Sequence, residues 1–210
     1  MVAVLLDVDE SCTRAVHRLE LGRLDYAVLP GALLFGWLGI GPSLLGTFAV
    51  GGRRALLTAL LALAVGQVTN RALKVFLQRE RPKSPAQGGV QRCCSVNTPG
   101  PEDPDGASFP SGDTMAAAAV GAALALSGAG PWWWALGAYV GFARVYFWCH
   151  FVADVVCGYG VGAGAALAVA SLSAGGAKLE WWHPLLATPP FVLMMKALKR
   201  LQKRAHDRHR

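Results

Sequence analysis

The hydrophobic residues of this chain are gathered into long blocks that short polar or charged stretches separate. Five blocks approach or reach the roughly 20 residues that an α-helix needs to cross a bilayer. They are Tyr26–Val50, Arg54–Phe76, Thr114–Ala129, Trp132–Trp148 and Val152–Ala170. A sixth block, Pro184–Met195, is short and holds three prolines, so its status as a span stays open. Because strand-type alternation is absent, the pattern predicts an all-α fold, a polytopic membrane helical bundle of five or six transmembrane helices.

The composition and the two ends of the chain fit a membrane protein with polar flanks. Of the 210 residues, 53% are hydrophobic and 16% are charged, against about 25% charged in an ordinary soluble domain. Residues 1–25 carry mixed charges and predict an N-terminal interfacial helix, and residues 26–200 form the membrane domain. Residues 201–210 end a basic tail, for which we expect anionic lipid headgroups, and not nucleic acid, as the partner.

Three polar clusters interrupt the apolar blocks, and the alternation of spans places all three on one face of the membrane. The first ends the second span, the second begins the third span, and the third joins the fourth span to the fifth. The clusters are LKVFLQRERP, with Lys74 and Arg81; FPSGDT, with Ser111, Gly112 and Asp113; and ARVYFWCHFVAD, with Arg144, His150 and Asp154.

The residue types in these clusters suit a phosphate group. Lys74, Arg81 and Arg144 are cations, and the planar fork of arginine matches phosphate oxygens in bidentate fashion. Ser111 and Gly112 stand at a helix N-terminus, where free backbone N–H groups and the helix dipole favour an anion. The three clusters together therefore predict a phosphate-binding site.

His150 and Asp154 supply a reactive pair, because residues four apart share one face of a helix. A carboxylate bonded to one imidazole nitrogen fixes the tautomer and leaves the other nitrogen free to attack. Taken singly, the features have ordinary interpretations: Arg79 or Lys83 is a charge at a membrane boundary, and a Pro-Ser-Gly turn is a helix cap. The ordered set, with its spacings and common face, carries the prediction.

The set of motifs resembles the type 2 phosphatidic acid phosphatase (PAP2) superfamily, which includes the vanadium haloperoxidases. The family pattern is Lys-x6-Arg-Pro, then Pro-Ser-Gly-His, then Ser-Arg-x5-His-x3-Asp. The chain matches it except at Asp113, where the family has His, and at Ala143, where it has Ser. The resemblance covers roughly residues 5–170, and the early LLDVDESCTRAV looks closest to the small polyisoprenoid (presqualene) diphosphate phosphatases.

The resemblance implies an integral membrane lipid phosphate phosphohydrolase that needs no metal and no other cofactor. His150 would be the nucleophile that forms a phosphohistidine, and Asp154 would orient it. The phosphate-binding positions would be Lys74, Arg81, Ser111, Gly112 and Arg144. The expected substrate is a lipid phosphate or diphosphate, with isoprenoid diphosphates the first choice.

The replacement of the family histidine by Asp113 leaves alternatives open. That histidine protonates the leaving oxygen, and a carboxyl group can do so only while it holds a proton, whereas nearby cations favour the carboxylate. A diphosphate would soften the loss, because a phosphate leaving group needs less protonation than an alkoxide. The alternatives are a phosphatidic acid or broad lipid monophosphate phosphatase, and a weakly active pseudophosphatase scaffold.

The orientation in the membrane depends on the sixth block. If Pro184–Met195 crosses, most Lys and Arg residues outside the spans lie on the face of the site, and the positive-inside rule places that face in the cytosol. In a eukaryotic cell the expected location is the endoplasmic reticulum or another endomembrane.

Overall fold

The computed structural model describes residues 2–36, 38–82 and 107–174. All regular structure within these ranges is helical, as the sequence predicts. The helices are α1 (Val2–His17), α2 (Asp25–Leu33), α3 (Ile40–Leu77), α4 (Gly112–Leu126), α5 (Ala135–Tyr146) and α6 (Val152–Ala174), with short 3₁₀ turns at Gly22–Leu24 and Pro131–Trp134. The predicted sixth block, Pro184–Met195, and the basic tail lie outside the described residues.

α4 is the central helix, and α3, α5 and α6 pack against it. Its Ala-rich sequence is buried on all sides from Thr114 to Leu124. The neighbouring helices come close because they offer glycines: a Cβ on Gly162 of α6 would lie 2.0 Å from the carbonyl oxygen of Met115. Close approach through small residues is typical of helices that pack in lipid.

Among the residues that the structure describes, two helices are long and apolar enough to cross a membrane, by length and composition: Ile40–Leu77 and Val152–Ser173. Gly112–Leu126 is a shorter apolar helix. The predicted spans Arg54–Phe76 and Val152–Ala170 are therefore confirmed as continuous helix. The predicted Thr114–Ala129 and Trp132–Trp148 correspond to the shorter α4 and to a 3₁₀ turn followed by α5.

The prediction of one continuous span over Tyr26–Val50 is wrong. α2 ends at Leu33, the described residues 34–36 and 38–39 lie in turns, and α3 begins at Ile40. At Gly39 a Cβ would lie 2.3 Å from the carbonyl oxygen of Leu33, so this tight turn requires a glycine. Hydropathy is continuous across the turn and gave no sign of it.

α5 supports α2 around its internal proline, Pro30. Proline has no N–H and interrupts helical bonding. The Tyr139 hydroxyl of α5 donates to the carbonyl oxygen of Ala27 at 2.6 Å and accepts from the N–H of Gly31 at 3.0 Å. One hydroxyl thus bridges two backbone groups of α2 and holds this helix against α5.

α3 is bent at Gly52, whose φ of 65° and ψ of −164° lie outside the helical region. Only glycine adopts this conformation readily. The predicted boundary between the first and second apolar blocks falls at this bend. The part of α3 that follows it runs to Leu77 and ends beside the candidate site.

α1 is a helix, as predicted for the N-terminal segment, but the surface or interfacial placement missed its contacts. It packs on α5 and α6, with Thr13 fully buried and His17 nearly so. The Nδ1 atom of His17 lies 2.7 Å from the carbonyl oxygen of Tyr146, at the end of α5. Its mixed charges therefore include residues that face the bundle.

Candidate active site

The turn after α5 brings His150 into place. The N–H of Cys149 donates to the carbonyl oxygen of Arg144 at 2.9 Å, and Trp148 takes the left-handed position, with φ 59°. This is the Schellman arrangement that ends many helices, in which the left-handed residue is usually glycine. His150 follows directly, two residues before α6 begins at Val152.

The first turn of α6 is capped from two sides. The N–H of Phe151 donates to the carboxylate of Asp154 at 2.9 Å, as in one half of a capping box. The next two amides of the helix donate to side chains of α1, namely Thr13 Oγ1 at 3.0 Å and Asp9 Oδ1 at 2.8 Å. α1 thus satisfies donors that α6 cannot satisfy itself.

His150 is held between Asp154 and Arg81. Its Nδ1 lies 3.4 Å from Asp154 Oδ2, and its Nε2 lies 3.4 Å from Arg81 Nη1. A carboxylate only accepts hydrogen bonds and a guanidinium only donates them. Nδ1 therefore carries the ring proton, and the lone pair of Nε2 points toward Arg81.

Burial lowers the pKa of His150 from its ordinary value of 6.5 to about 4. The hydrogen bond with Asp154 acts in the opposite direction, and the charges of Arg81 and Arg144 add to the lowering. The imidazole is neutral at neutral pH, because its pKa lies well below 7. A neutral imidazole is the form that can act as a nucleophile.

Asp154 is fully buried and is bound by several donors besides His150. Ser108 Oγ donates to its Oδ2 atom, and Arg79 Nη1 lies 2.9 Å from its Oδ1 atom. Ser108 Oγ also lies 3.2 Å from His150 Nδ1. The orientation of the carboxylate is therefore fixed from both of its oxygens.

α3 and the residues that follow it contribute two of the predicted cations. Lys74 is buried, and its Nζ donates to the carbonyl oxygen of Ala107 at 2.6 Å. Gln78 ends α3 in the left-handed conformation, with φ 41°, so that the chain turns there. Arg81 then reaches the ring of His150.

The N-terminus of α4 lies next to the first turn of α6. Ser111 is the N-cap, as predicted, and its Oγ accepts from the N–H of Thr114 at 3.4 Å. The N–H of Ser111 donates to the carbonyl oxygen of Asp154 at 3.0 Å. A Cβ on Gly112 would meet, among the described residues, only Asn70 Nδ2 at 4.0 Å, so there is space for a ligand here.

Arg144 and Asp113 form an ion pair, with 3.1 Å between Nη1 and Oδ2. Arg144 Nη1 also donates to the carbonyl oxygen of Ala32 in α2 at 3.2 Å. The buried Nε atom of Arg144 has no hydrogen-bond partner within the described part of the chain.

The structure thus brings the predicted site residues to one end of the bundle, where α3, α4, α5 and α6 meet. They are Lys74, Arg81, Ser111, Gly112, Asp113, Arg144, His150 and Asp154. The segment 108–110, the C-terminal end of α5 and the residues after α3 complete this end. Within residues 2–36, 38–82 and 107–174, no group of three or more His, Cys, Asp or Glu side chains could hold a metal ion.

Sequence reasoning missed three contributors. The interpretation of Arg79 as a charge at a membrane boundary is wrong, because it pairs with Asp154 and Asp9 and lies 3.9 Å over the ring of Phe151. No motif in the sequence marks Ser108, which lies two residues before the Pro-Ser-Gly turn. A signal for Asp9 was available, since it lies in the LLDVDESCTRAV stretch that carries part of the resemblance.

Comparison with known proteins identifies the family of this chain. The sequence matches the PAP2 superfamily over residues 55–175, more than half of its length, and the chain belongs to that superfamily. A comparison with curated protein sequences finds no match.

Two solved structures share the fold. LpxE of Aquifex aeolicus superposes with a TM-score of 0.60 at 22% identity, over 77% of this chain and 93% of that one. The first transmembrane PAP2 type phosphatidylglycerolphosphate phosphatase from Bacillus subtilis superposes with a TM-score of 0.59 at 20% identity, over 84% of this chain and 90% of that one. At these identities the likeness concerns the fold.

Proposed function

We propose that this protein is an integral membrane phosphohydrolase that removes phosphate from a lipid phosphate or diphosphate through a phosphohistidine on His150. Membership of the PAP2 superfamily supports the class of reaction. The observation that carries the proposal is the setting of His150, whose Nδ1 faces Asp154 while the lone pair of Nε2 faces Arg81. A phosphate bound to that guanidinium would lie against the attacking nitrogen.

The reaction has two steps. Nε2 of His150 attacks phosphorus, the P–O bond to the leaving group breaks, and the leaving oxygen keeps the electron pair. Asp154 stabilises the positive charge that develops on the ring. Water then attacks phosphorus and the P–N bond breaks, so that its electron pair returns to Nε2. Inorganic phosphate leaves with the oxygen of the water, and a water proton passes to the phosphate or to solvent.

The cations and the α4 N-terminus serve the transferring group. Lys74, Arg81 and Arg144 balance the charge on its oxygens, and Ser111 and Gly112 add hydrogen bonds. Two observations on the described residues support this assignment: the Nε of Arg144 has no hydrogen-bond partner among them, and there is space beside Gly112. None of these roles requires a metal ion, and we propose that the reaction proceeds without one.

The ion pair of Asp113 with Arg144 favours an isoprenoid diphosphate as substrate. A carboxylate at residue 113 cannot protonate the leaving oxygen, so a leaving group that is stable as an anion reacts best. When the terminal phosphate of a diphosphate is removed, the leaving group is itself a phosphate. A lipid monophosphate would release an alkoxide, which needs a proton.

The test compares farnesyl diphosphate with farnesyl monophosphate, which share a tail and differ in leaving group, in micelles with chelator present. We expect wild type to prefer the diphosphate. Asp113→His should raise monophosphate turnover by about 10- to 100-fold, because it supplies a general acid, and should change diphosphate turnover little.

The other outcomes separate the alternatives. A wild type that hydrolyses phosphatidic acid or the monophosphate at least as fast as the diphosphate would identify a broad monophosphate phosphatase. If neither wild type nor His150→Ala releases phosphate from any of these lipids, the result favours the pseudophosphatase scaffold, which would bind phosphate without turnover.

We further propose a division of the chain into three parts. An N-terminal helix occupies residues 1–25, the phosphatase domain occupies residues 26–200, and a basic tail that contacts anionic lipids occupies residues 201–210. If Pro184–Met195 crosses the membrane, the distribution of Lys and Arg supports a site that faces the cytosol. If the cell is eukaryotic, the membrane would be the endoplasmic reticulum or another endomembrane. Cys12 on α1 is exposed and provides a test. In a variant without the other cysteines, an impermeant thiol reagent should label Cys12 only from the side that the site faces.

A further inference from the structure

A series of ion pairs runs from α1 to the proposed nucleophile. Asp9 Oδ2 lies 2.6 Å from Arg79 Nη2, and Arg79 Nη1 lies 2.9 Å from Asp154 Oδ1. Asp154 in turn faces Nδ1 of His150. The side chains of Asp9 and Arg79 are only 10% and 19% exposed, so solvent ions screen these charges weakly.

Both added members of the series are held in place by further contacts. The guanidinium of Arg79 lies 3.9 Å over the ring of Phe151. The backbone carbonyl oxygen of Arg79 accepts from the N–H of Ser108 at 2.7 Å. The second carboxylate oxygen of Asp9 accepts from the N–H of Ala153 at 2.8 Å. A charge that only marked a membrane boundary would need none of these contacts.

We propose that Asp9 and Arg79 are positioning residues that tune the nucleophile, because they determine how much of the negative charge of Asp154 acts on His150. This inference rests on the proposed function, which makes His150 the attacking group. Arg79 divides its positive charge between two carboxylates, so the three side chains together carry one net negative charge. Neither Asp9 nor Arg79 needs to touch the substrate.

Removal of one member or the other changes that net charge in opposite directions. Arg79→Gln leaves Asp9 and Asp154 both unbalanced, which makes protonation of His150 more favourable. Asp9→Asn leaves the positive charge of Arg79 paired with Asp154 alone, which makes protonation of His150 less favourable. A purely structural contact would weaken the site in both variants without this difference in sign.

The other charged and polar groups that face His150 are the same in all of these variants. They are Arg81 after α3, Ser108 before α4, Arg144 of α5 with its partner Asp113 of α4, and Cys149 in the turn. Any change in the titration of His150 therefore reports on the series from α1.

The experiment titrates His150 by NMR in detergent micelles with ¹³C-labelled histidine. The chain has five histidines, and His150→Gln identifies the signal. We expect Arg79→Gln to raise the His150 midpoint by about one pH unit. Adding Asp9→Asn to that variant should return the midpoint toward the wild-type value, while Arg79→Lys, which keeps the charge, should stay near wild type.

Glu10→Gln provides the matched control, because Glu10 is the neighbour of Asp9 and pairs with exposed Arg14 instead. Added to Arg79→Gln, it should leave the midpoint unchanged. All of these midpoints should lie at or above that of wild type. In the same spectra, the signal of the buried His17 ring shows whether the fold is intact at each pH. The acid limb of kcat/KM should move with the midpoint in each variant.

The inference is overturned if Arg79→Gln leaves or lowers the midpoint, or if Asp9→Asn has no effect in the Arg79→Gln background. The titration does not need turnover, so it separates this inference from the proposed function. A wild type that binds lipid but releases no phosphate defeats the proposed function, while the midpoints still decide whether Asp9 and Arg79 tune His150.

Discussion

Two arginine–aspartate pairs flank His150, and they differ in how firmly each is held. The pair of Arg144 with Asp113 has one 3.1 Å contact, and the Asp113 side chain is 22% exposed. The pair of Arg79 with Asp154 is 2.9 Å long, and the Asp154 side chain is inaccessible to solvent. Asp154 is further bound by Ser108 and by the N–H of Phe151.

The difference indicates different uses of the same two residue types. Within the described residues the Nε of Arg144 has no hydrogen-bond partner, and its carboxylate partner Asp113 is partly exposed, so a phosphate could replace or share that partner. Arg79 and Asp154 have no such freedom, because breaking a buried pair leaves an uncompensated charge. The first pair suits ligand binding, and the second suits the orientation of His150.

The largest effect is expected from removal of the His150 ring, which the pair of Arg79 with Asp154 orients. We expect His150→Ala to lower phosphate release by roughly 10⁴- to 10⁶-fold, because loss of a nucleophile disables the whole reaction. His17→Ala is the matched control, since it removes a buried histidine outside the site, and it should stay within about tenfold of wild type. Similar losses in both variants would mean that destabilisation explains the effect.

Replacing the two carboxylates separately tests the contrast itself. Asp154→Asn should reduce kcat by about 10³- to 10⁴-fold, because an orienting carboxylate fixes the tautomer of its histidine. Asp113→Asn should change diphosphate turnover by less than about tenfold and act mainly on KM, through Arg144. Equal losses of kcat in the two variants would show that the pairs do not differ in role.

The contact of α4 with α6 connects the two arginine–aspartate pairs, because Asp113 lies on α4 and Asp154 lies on α6. A glycine substitution can disturb this contact. A Cβ on Gly158 would lie 2.5 Å from the carbonyl oxygen of Ser111, whereas one on Gly160 meets nothing within 4 Å among the described residues. We expect Gly158→Ala to lower the free energy of unfolding by about 1–3 kcal/mol, together with activity. Gly160→Ala should do neither, as thermal unfolding in detergent and phosphate release can check.

The smallest expected effect concerns the hydroxyl that joins Asp154 to His150. Ser108→Ala removes one hydrogen bond to a buried carboxylate, and we expect a loss of about tenfold in kcat with KM little changed. Ser108→Thr keeps the hydroxyl and should recover part of the rate. A Ser108→Ala enzyme with normal kcat would show that Phe151 and Arg79 suffice to orient the carboxylate.

Local patterns allowed much of the site to be predicted. The cap at Ser111 depends on neighbouring residues, and the structure has it. His150 and Asp154 also meet, as their spacing predicts. The prediction that they share one face of a helix is wrong, because His150 lies in the turn two residues before α6 begins. The part of α3 after Gly52 and helix α6 could also be predicted, because α3 and α6 each contain a long stretch of high mean hydropathy. The cap, the spacing and the hydropathy each depend only on residues that are close together in the sequence.

What could not be predicted depends on contacts between distant residues or on backbone geometry. Arg79 is identical in sequence terms to any basic residue at a helix end, and only its meeting with Asp9, 70 residues away, distinguishes it. The turn before Ile40 is invisible to hydropathy. Trp148 in a left-handed position that glycine usually takes gives no signal in the sequence either.

The caps that α1 provides to α6 also constrain how the chain is made. Thr13 and Asp9 bind amides that lie 139 and 144 residues later in the sequence. At ordinary rates of synthesis, roughly 7 to 30 s pass between the two ends of such a contact. α1 therefore leaves the ribosome well before the amides that it caps exist, and its contacts with α6 form only after α6 has been made.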